Sequence, residues 1–262
     1  MLGYAVGQHL VKNADRFEPS LSLRDDRHNY SQYCHFKFNA EQFLEDQSHL
    51  ETGFDYVINC VGAIKQRTWS REQLIKINSL FPLKLAEYCN THGMRLIHVT
   101  TDCVYSGKKG NYSELDTPDP ADDYGYTKLL GEPDDCLTLR TSFIGDELHG
   151  GYSLLEWAKR HKNQKVSGYA NHFWNGLTTK AFAEACDRII SNDLYEIGTW
   201  HIFNPTPLSK FMMLNAFNTK FDLNLDVEIF NAPVMVDRTL STVHDFNAKL
   251  KIPPFHEMLK AL

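Results

Sequence analysis

A tyrosine and a lysine four residues apart, with a threonine upstream, form the combination in this sequence best suited to proton transfer. Tyr124 and Lys128 lie in a segment of helical pattern, where residues four apart share one face. An ammonium group near a phenol favours the phenolate and lowers a phenol pKa that is ordinarily about 10. We therefore predict that Tyr124 exchanges a proton with a carbonyl or hydroxyl near neutral pH, and that Lys128 tunes its pKa.

The threonine distinguishes this pair from others with the same spacing. Thr101 ends a predicted strand upstream of Tyr124, and its hydroxyl could orient the same substrate oxygen. The same spacing occurs at Tyr33 with Lys37 and at Tyr105 with Lys109. Neither of those pairs follows a hydroxyl-tipped strand at the right distance. The context therefore favours a catalytic group over an ordinary pair on a solvated helix face.

The elements that position these residues are predicted from short apolar runs separated by helical patterns. Three buried strands are predicted, at 55–61, 94–100 and 136–141. A helix is predicted at 70–90, with Ser70 and Gln73 forming a capping box at its start and Gly93 following its end. This alternation predicts an α/β fold with a Rossmann-like, doubly wound parallel sheet, whose ligands bind at the carboxyl edge of the strands.

The chain is predicted to have two parts. Residues 1–145 carry the strand–helix alternation and are assigned to an NAD(P)-binding domain. After about Gly145 the alternation weakens, and we predict that 146–262 form a smaller substrate lobe closing over the sheet edge. Aromatic and asparagine side chains are frequent there, as in 169–175, where Trp174 is a candidate contact for a sugar or base.

The composition narrows the class of protein. With 262 residues, 42% of them hydrophobic, the chain can bury a core without disulfides. A net charge of −6 argues against nucleic-acid binding, and no run of about 18 apolar residues predicts a membrane span. The first residues do not form a secretory signal, and the six cysteines contain no Cys-x-x-Cys pair. We expect a cytoplasmic protein with no metal site.

A series of ordered motifs resembles the extended short-chain dehydrogenase/reductase family, whose catalytic group is Ser or Thr with Tyr-x-x-x-Lys. Within it, the chain is most similar to dTDP-4-dehydrorhamnose reductases and related sugar-nucleotide reductases. The matching segments are DYVINCVG (55–62), Ile77-Asn78 with Pro82, LIHVTTDCVYSG (96–107), YGYTKLLGE (124–132) and LRTSFIG (139–145). The resemblance covers most of the chain, and the series is more specific than any one motif.

The resemblance implies a role for each matching residue. Tyr124 would be the general acid, Lys128 would hold the nicotinamide ribose and Thr101 would bond the substrate oxygen. The cofactor contacts would be Gly3, Cys60, Val61, Gly62 and, less directly, Asn78, together with Tyr124 and Lys128. The sugar would face Asp102 and Cys103.

The choice of dinucleotide depends on the residues after a second predicted strand, Ser20–Leu23. Arg24 follows it, and a basic residue there accommodates a 2′-phosphate in this fold. This favours NADPH, while the neighbouring Asp25 and Asp26 leave NADH as the alternative.

The function that the resemblance implies is NADPH-dependent reduction of the 4-keto group of a nucleotide-linked deoxysugar. The implied partner is then a nucleotide-sugar substrate, and assembly into a homodimer is left open. Two alternatives remain. One is a sugar-nucleotide epimerase; the other is a non-catalytic regulatory subunit of the same fold, as the beta subunit of methionine adenosyltransferase is.

The sequence departs from the family at its start. The family opens with a strand and a Gly-x-x-Gly-x-x-Gly turn, and Gly3 aligns with the last of those glycines. Loss of a central strand would remove about 8–15 kcal/mol of apolar burial, as much as the net stability of a typical domain. We therefore expect the natural protein to carry this strand upstream; the alternative is a degenerate copy that binds dinucleotide poorly.

Overall fold

The structure is a computed structural model that describes residues 1–23, 35–64, 66–147 and 151–262. Its helices are α1 (Leu2–Lys12), α2 (Ala40–Glu45), α3 (Arg71–Ile75), α4 (Phe81–Thr91), α5 (Asp123–Leu130), α6 (Leu154–Arg160), α7 (Thr179–Ser191), α8 (Lys210–Phe221), α9 (Phe246–Lys249) and α10 (Phe255–Lys260). Its strands are β1 (Leu21–Leu23), β2 (His35–Lys37), β3 (Tyr56–Asn59), β4 (Arg95–Thr101), β5 (Leu137–Thr141), β6 (Phe143–Ile144), β7 (Lys165–Tyr169), β8 (His172–Trp174), β9 (Leu177–Thr178), β10 (Gly198–His201), β11 (Leu208–Ser209), β12 (Asp226–Phe230) and β13 (Val236–Asp237).

Four parallel strands form the central sheet, in the order β10–β5–β4–β3. Apolar side chains project from both faces of this sheet, as expected for a parallel sheet that helices cover on both sides. Ile97 and Leu139 belong to the core shared with α1 and α7, whereas Leu96 and Cys136 belong to the core shared with α2 and α4. The predicted α/β class with a parallel sheet is confirmed.

Two further strands lie beside this sheet without joining it. β1 and β2 pair with each other in parallel, and β1 covers Leu21–Leu23 of the strand predicted at Ser20–Leu23. Among the described residues, no strand pairs with the outer edge of β3. Helix α1 lies against both units: a Cβ on Gly3 would be 3.3 Å from Cβ of Cys60, and one on Gly7 would be 2.8 Å from Cδ2 of Leu21. Gly7 therefore allows the close approach of α1 to β1.

The helix predicted at 70–90 is interrupted by one π-helical turn, Lys76–Leu80, which joins α3 to α4. The capping box is present: the amide of Gln73 donates to Oγ of Ser70, and the amide of Ser70 donates to the Gln73 side chain. Turns of this kind are frequent at functional sites because the additional residue redirects the side chains of the helix. Here the turn buries Asn78 and Ser79 against α5.

Helix α1 is anchored to α7 by one carboxylate. The guanidinium of Arg16 donates to both oxygens of Asp187 at 2.8 Å, and His9 Nε2 lies 2.7 Å from Oδ2. Ser191 donates a further hydrogen bond of 2.9 Å. Burial, the largest effect, raises the pKa of Asp187, but these partners together lower it to about 2.

We expect Asp187→Asn to reduce the free energy of unfolding by about 1–3 kcal/mol at pH 7, because it removes the negative charge that the Arg16 guanidinium is paired with. The folded-state pKa lies below the ordinary 3.8, so the stabilisation is complete above about pH 4 and is lost as the pH falls toward 2. Urea unfolding of both proteins at pH 7 and near pH 3 measures it. Asp193→Asn is the control, since that carboxylate is 82% exposed and should change stability by less than about 0.5 kcal/mol. Equal losses in the two variants would contradict the assignment.

The second half of the chain adds strands to three small sheets, and two of its elements, α7 and β10, pack against elements of the first half. β8 lies between β11 and β13, β7 pairs with β12, and β6 pairs with β9. The division at residue 145 stays a prediction, although α7 packs on α1 and β10 pairs with β5. No helix among the described residues is long and apolar enough to cross a membrane.

Candidate active site

Helix α5 begins in contact with the loop that follows β4. The side chain of Asp122 caps it by accepting a hydrogen bond of 2.8 Å from the amide of Gly125. A Cβ on Gly125 would overlap the carbonyl oxygen of Cys103 and lie 2.9 Å from Cβ of Pro120. The first turn of α5 therefore lies against the end of β4, which brings the predicted catalytic residues together.

Thr101 and Tyr124 share a side-chain hydrogen bond. Oγ1 of Thr101 also accepts from the amide of Cys103 at 3.1 Å and lies 3.3 Å from Oδ1 of Asp102. The threonine hydroxyl is thus held by the turn that directly follows β4. Two neighbouring hydroxyl groups can both hydrogen-bond a single substrate oxygen.

Lys128 lies one turn further along α5 and is 5% exposed. Its Nζ donates a 2.9 Å hydrogen bond to the carbonyl oxygen of Val99, in β4. Burial lowers the pKa of Lys128 to about 8, although Glu132 and Cys60 favour the charged amine. The lysine is therefore held in the sheet edge and remains mostly protonated at neutral pH.

The prediction that Lys128 lowers the pKa of Tyr124 is wrong for this arrangement. Burial is the main influence and raises that pKa; the charge of Cys103 raises it further, and the hydrogen bond from Thr101 only partly opposes them. Nζ of Lys128 is instead engaged with Val99. Tyr124 is accordingly a neutral phenol near pH 7, which is the form that can donate a proton.

A chain of polar contacts leads from Asp102 to the predicted aromatic contact. Asp102 is bonded to the side chain of Ser142, whose Oγ accepts from Nε1 of Trp174. Trp174 packs edge-on against Phe255, with ring centroids 6.0 Å apart. Burial raises the pKa of Asp102, while the charge of Arg238 lowers it. Ser142 therefore links Asp102 to Trp174.

The loop after β3, predicted to line the cofactor, is held by two asparagines. Oδ1 of Asn59 accepts from the amide of Val61 at 3.0 Å, and its Nδ2 lies 3.0 Å from Nδ1 of His98. The backbone of this loop is thereby fixed at the carboxyl end of β3.

Asn78 holds the same loop from the π-helical turn. Its amide accepts from the backbone nitrogen of Ala63 at 2.9 Å and donates to the carbonyl of Ala63 at 3.0 Å. It also donates to Oγ1 of Thr127 in α5 at 3.3 Å. Asn78 therefore joins the loop after β3 to α5, and its predicted role toward the cofactor stays a prediction.

The residues present fit a dinucleotide in two respects. A Cβ on Gly3, in the first turn of α1, would lie 3.3 Å from Cβ of Cys60, so that turn lies close to the loop after β3. The buried hydroxyl of Thr141, at the carboxyl end of β5, has no hydrogen-bond partner among the described residues. Gly62 leaves space, because a Cβ on it would be 3.8 Å from its nearest neighbour, Oδ1 of Asn78. Arg24 lies outside the described residues.

Four further residues were not predicted as part of this site. Ser142 and Arg238 surround Asp102, while Glu132 and Arg140 form a buried ion pair behind Lys128. Ser142, Glu132 and Arg140 lie within segments that carry the family resemblance, so position in those motifs was the available signal. Arg238 lies in none of them, and its proximity to Asp102 depends on the folding of the second half of the chain.

Comparisons with known proteins agree with this arrangement. A family model described as the RmlD substrate binding domain matches residues 6–235. The probable low-salt glycan biosynthesis reductase Agl14 of Haloferax volcanii is 35% identical over 103 residues, which are 36% of this chain and 34% of that protein. The alignment thus spans about a third of that relative's length.

Solved structures share the fold over nearly the whole chain. A hypothetical dTDP-4-dehydrorhamnose reductase of Sulfolobus tokodaii has a TM-score of 0.73 at 20% identity, covering 95% of this chain and 91% of that one. The dTDP-4-dehydrorhamnose reductase of Bacillus anthracis, in complex with NADP, has a TM-score of 0.69 at 19% identity, covering 89% and 91%. These likenesses establish the fold, and the match to most of the chain establishes the family: this chain belongs to the RmlD substrate binding domain family.

Proposed function

We propose that the protein is an NADPH-dependent reductase of the 4-keto group of a nucleotide-linked deoxysugar. The observation that carries the proposal is the hydrogen-bonded pair of Thr101 and Tyr124, with Lys128 buried one turn away. Membership of the family and the reductase names of its relatives support the same reaction class.

The residues divide the chemistry between them. The hydroxyls of Thr101 and Tyr124 bind the keto oxygen, and the neutral Tyr124 phenol delivers a proton to it as the carbonyl is reduced. The Lys128 ammonium binds the ribose of the cofactor, whose hydroxyls can accept its hydrogen bonds. The reduced nicotinamide, when bound, supplies the hydride.

The substrate is proposed to lie between the parts 1–145 and 146–262, with the sugar toward Asp102 and Trp174. Positive side chains of the second part suit the diphosphate of a nucleotide sugar. Arg238 acts on Asp102, and both Arg238 and Lys210 lower the pKa of His172, after burial as the main cause. These two basic side chains favour an anionic ligand.

We expect saturable NADPH binding, followed by NADPH oxidation when dTDP-4-dehydrorhamnose is added. Fluorescence transfer from tryptophan to the nicotinamide and the melting temperature follow the first step; absorbance of the reduced nicotinamide and product NMR follow the second. Ligand binding at 100 times its Kd stabilises the folded state by about 2.7 kcal/mol, which is a readily measured shift.

Parallel titration with NADH tests the dinucleotide preference. Product NMR distinguishes a reduced sugar from an epimerised one that leaves NADPH unconsumed. A folded chain that binds neither dinucleotide would overturn the reductase proposal and favour the regulatory subunit.

A further inference from the structure

The segment 236–241, which includes β13, lies between the loop after β4 and the strand β8. On one side, the amide of Asp237 donates to the carbonyl of Gly107 at 2.7 Å. The amide of Tyr112 donates to the carbonyl of Thr239 at 2.9 Å. On the other side, β13 pairs in parallel with β8. The segment therefore joins the loop after β4 to a strand of the second half of the chain.

Arg238 is bonded to both neighbours of this segment. Its backbone amide donates to the carbonyl of Phe173 at 3.4 Å, directly before Trp174 at the end of β8. Its side chain donates from Nε to the carbonyl oxygen of Tyr105 at 2.9 Å. One residue thus contacts the strand that carries the candidate sugar contact and the loop that follows Thr101.

Tyr105 ends the turn that orients Thr101. The amide of Tyr105 donates to the carbonyl of Asp102 at 3.0 Å, and the amide of Cys103, within the turn, donates to Oγ1 of Thr101 at 3.1 Å. The carbonyl of Cys103 also lies where a Cβ on Gly125 would overlap it, so the turn supports the start of α5. A displaced Tyr105 carbonyl would therefore disturb both the Thr101 hydroxyl and the first turn of α5.

The side chain of Tyr105 is held from the opposite direction. It is fully buried and stacks on Tyr112, with ring centroids 4.3 Å apart. Its hydroxyl accepts a 2.8 Å hydrogen bond from Nη1 of Arg140. With the ring fixed in the core, the contact with Arg238 fixes the backbone, and a hydrogen bond from a charged donor is stronger than one from a neutral donor.

We propose that Arg238 is a positioning residue for sugar reduction: its Nε–H holds the Tyr105 carbonyl and so sets the Thr101 hydroxyl relative to the strand that carries Trp174. This role is separate from the attraction of its positive charge for an anionic substrate. The inference rests on the proposed function for its consequence, because a misplacement of about 1 Å at a reacting group can lower turnover about 100-fold.

Three substitutions separate the hydrogen bond from the charge. In Arg238→Gln, the fourth atom of the side chain is still a nitrogen donor, as Nε is, but the charge is lost. In Arg238→Lys, that atom is a methylene carbon, so the charge remains while the donor at this position is lost. Arg238→Met removes both.

We expect turnover of dTDP-4-dehydrorhamnose to fall by roughly 10- to 100-fold in Arg238→Lys and Arg238→Met. The loss of turnover in Arg238→Gln should be at least about fivefold smaller, because the donor to Tyr105 is kept. Its KM for the nucleotide sugar should rise instead, as the positive charge is absent. Steady-state rates at several substrate concentrations separate the two effects.

Hydrogen exchange of the Tyr105 amide provides a readout that needs no activity. Val104–Tyr105 is the one Val-Tyr pair in the sequence, so labelling valine carbonyls with carbon-13 and tyrosine amides with nitrogen-15 selects this signal by NMR. The amide belongs to the turn that ends at the carbonyl bound by Arg238. Its exchange should be at least about tenfold faster in Arg238→Lys than in Arg238→Gln or the wild type, because local opening becomes easier.

Arg188→Met is the matched control. It is the same chemical change at another arginine of the second half of the chain, since Nη1 of Arg188 donates to the carbonyl of Leu250 at 2.9 Å. That contact joins α7 to the end of α9. Turnover and Tyr105 exchange should both stay at their wild-type values.

If Arg238→Met does not fold, the comparison of Arg238→Lys with Arg238→Gln carries the test, and urea unfolding verifies that both are folded. Unchanged Tyr105 exchange in folded Arg238→Lys overturns the inference, whatever the turnover. Faster exchange in a protein that reduces no sugar supports the action of Arg238 on the turn and counts instead against the proposed function.

Discussion

Tyr124→Phe is expected to lower the turnover of sugar reduction by a factor of about 100 to 10,000, the usual contribution of a positioned general acid. The substitution removes the phenol proton and the hydrogen bond to Thr101 but keeps the ring in place. NADPH affinity should change little, because the Lys128 amine and the loop after β3 are untouched. Steady-state rates with dTDP-4-dehydrorhamnose and a parallel NADPH titration separate the two effects.

Tyr126→Phe is the matched control for this prediction. Tyr126 lies on the same helix, but it is 53% exposed. Its hydroxyl can be lost with no effect on the site, so turnover should remain close to that of the wild type. Equal rates for the two variants would remove Tyr124 from the role of proton donor.

Gly131→Ala is expected to destabilise the protein by about 3 kcal/mol or more, at the upper end of what overpacking costs. A methyl group there would overlap the carbonyl oxygen of Asn78 and lie 2.8 Å from Cα of Ser79. These atoms belong to the backbone of the π-helical turn, so no side-chain rotation can relieve the overlap. The melting temperature should fall by roughly 6–12 °C for a chain of this size.

The same methyl group would move the end of α5 away from the turn, and reductase activity should fall in the fraction that remains folded. Gly62→Ala is the control for stability, because its Cβ would meet its nearest neighbour at an ordinary 3.8 Å. A wild-type melting temperature for Gly131→Ala would contradict the close packing of α5 on the π-helical turn.

Local sequence patterns predicted three of the four strands of the central sheet, β3, β4 and β5, but not β10. None of these three strands extends more than one residue beyond the range predicted for it. Short apolar runs between helical patterns have few other stable arrangements. The capping box at Ser70 and Gln73 was likewise local. The π-helical turn was not predicted, because the helical periodicity of the segment continues through it.

The electrostatics of the site could not be predicted in the same way. A lysine four residues from a tyrosine suggested a lowered phenol pKa, but the depth of burial and the carbonyl of Val99 that occupies Nζ of Lys128 are tertiary facts. The charge of Arg238, more than a hundred residues away in the sequence, lowers the pKa of Asp102, and no spacing in the sequence indicates that proximity.

The pairing of β10 with β5 also determines the order in which the protein can be assembled during synthesis. β5 ends at Thr141 and β10 begins at Gly198, so the outer edge of β5 has no partner until its neighbour has been translated. At about 5–20 residues per second, the intervening segment takes roughly 3–12 s to make. During that interval the nascent chain exposes an unpaired edge of β5, and the pairing of β10 with β5 can form only after β10 has been synthesised.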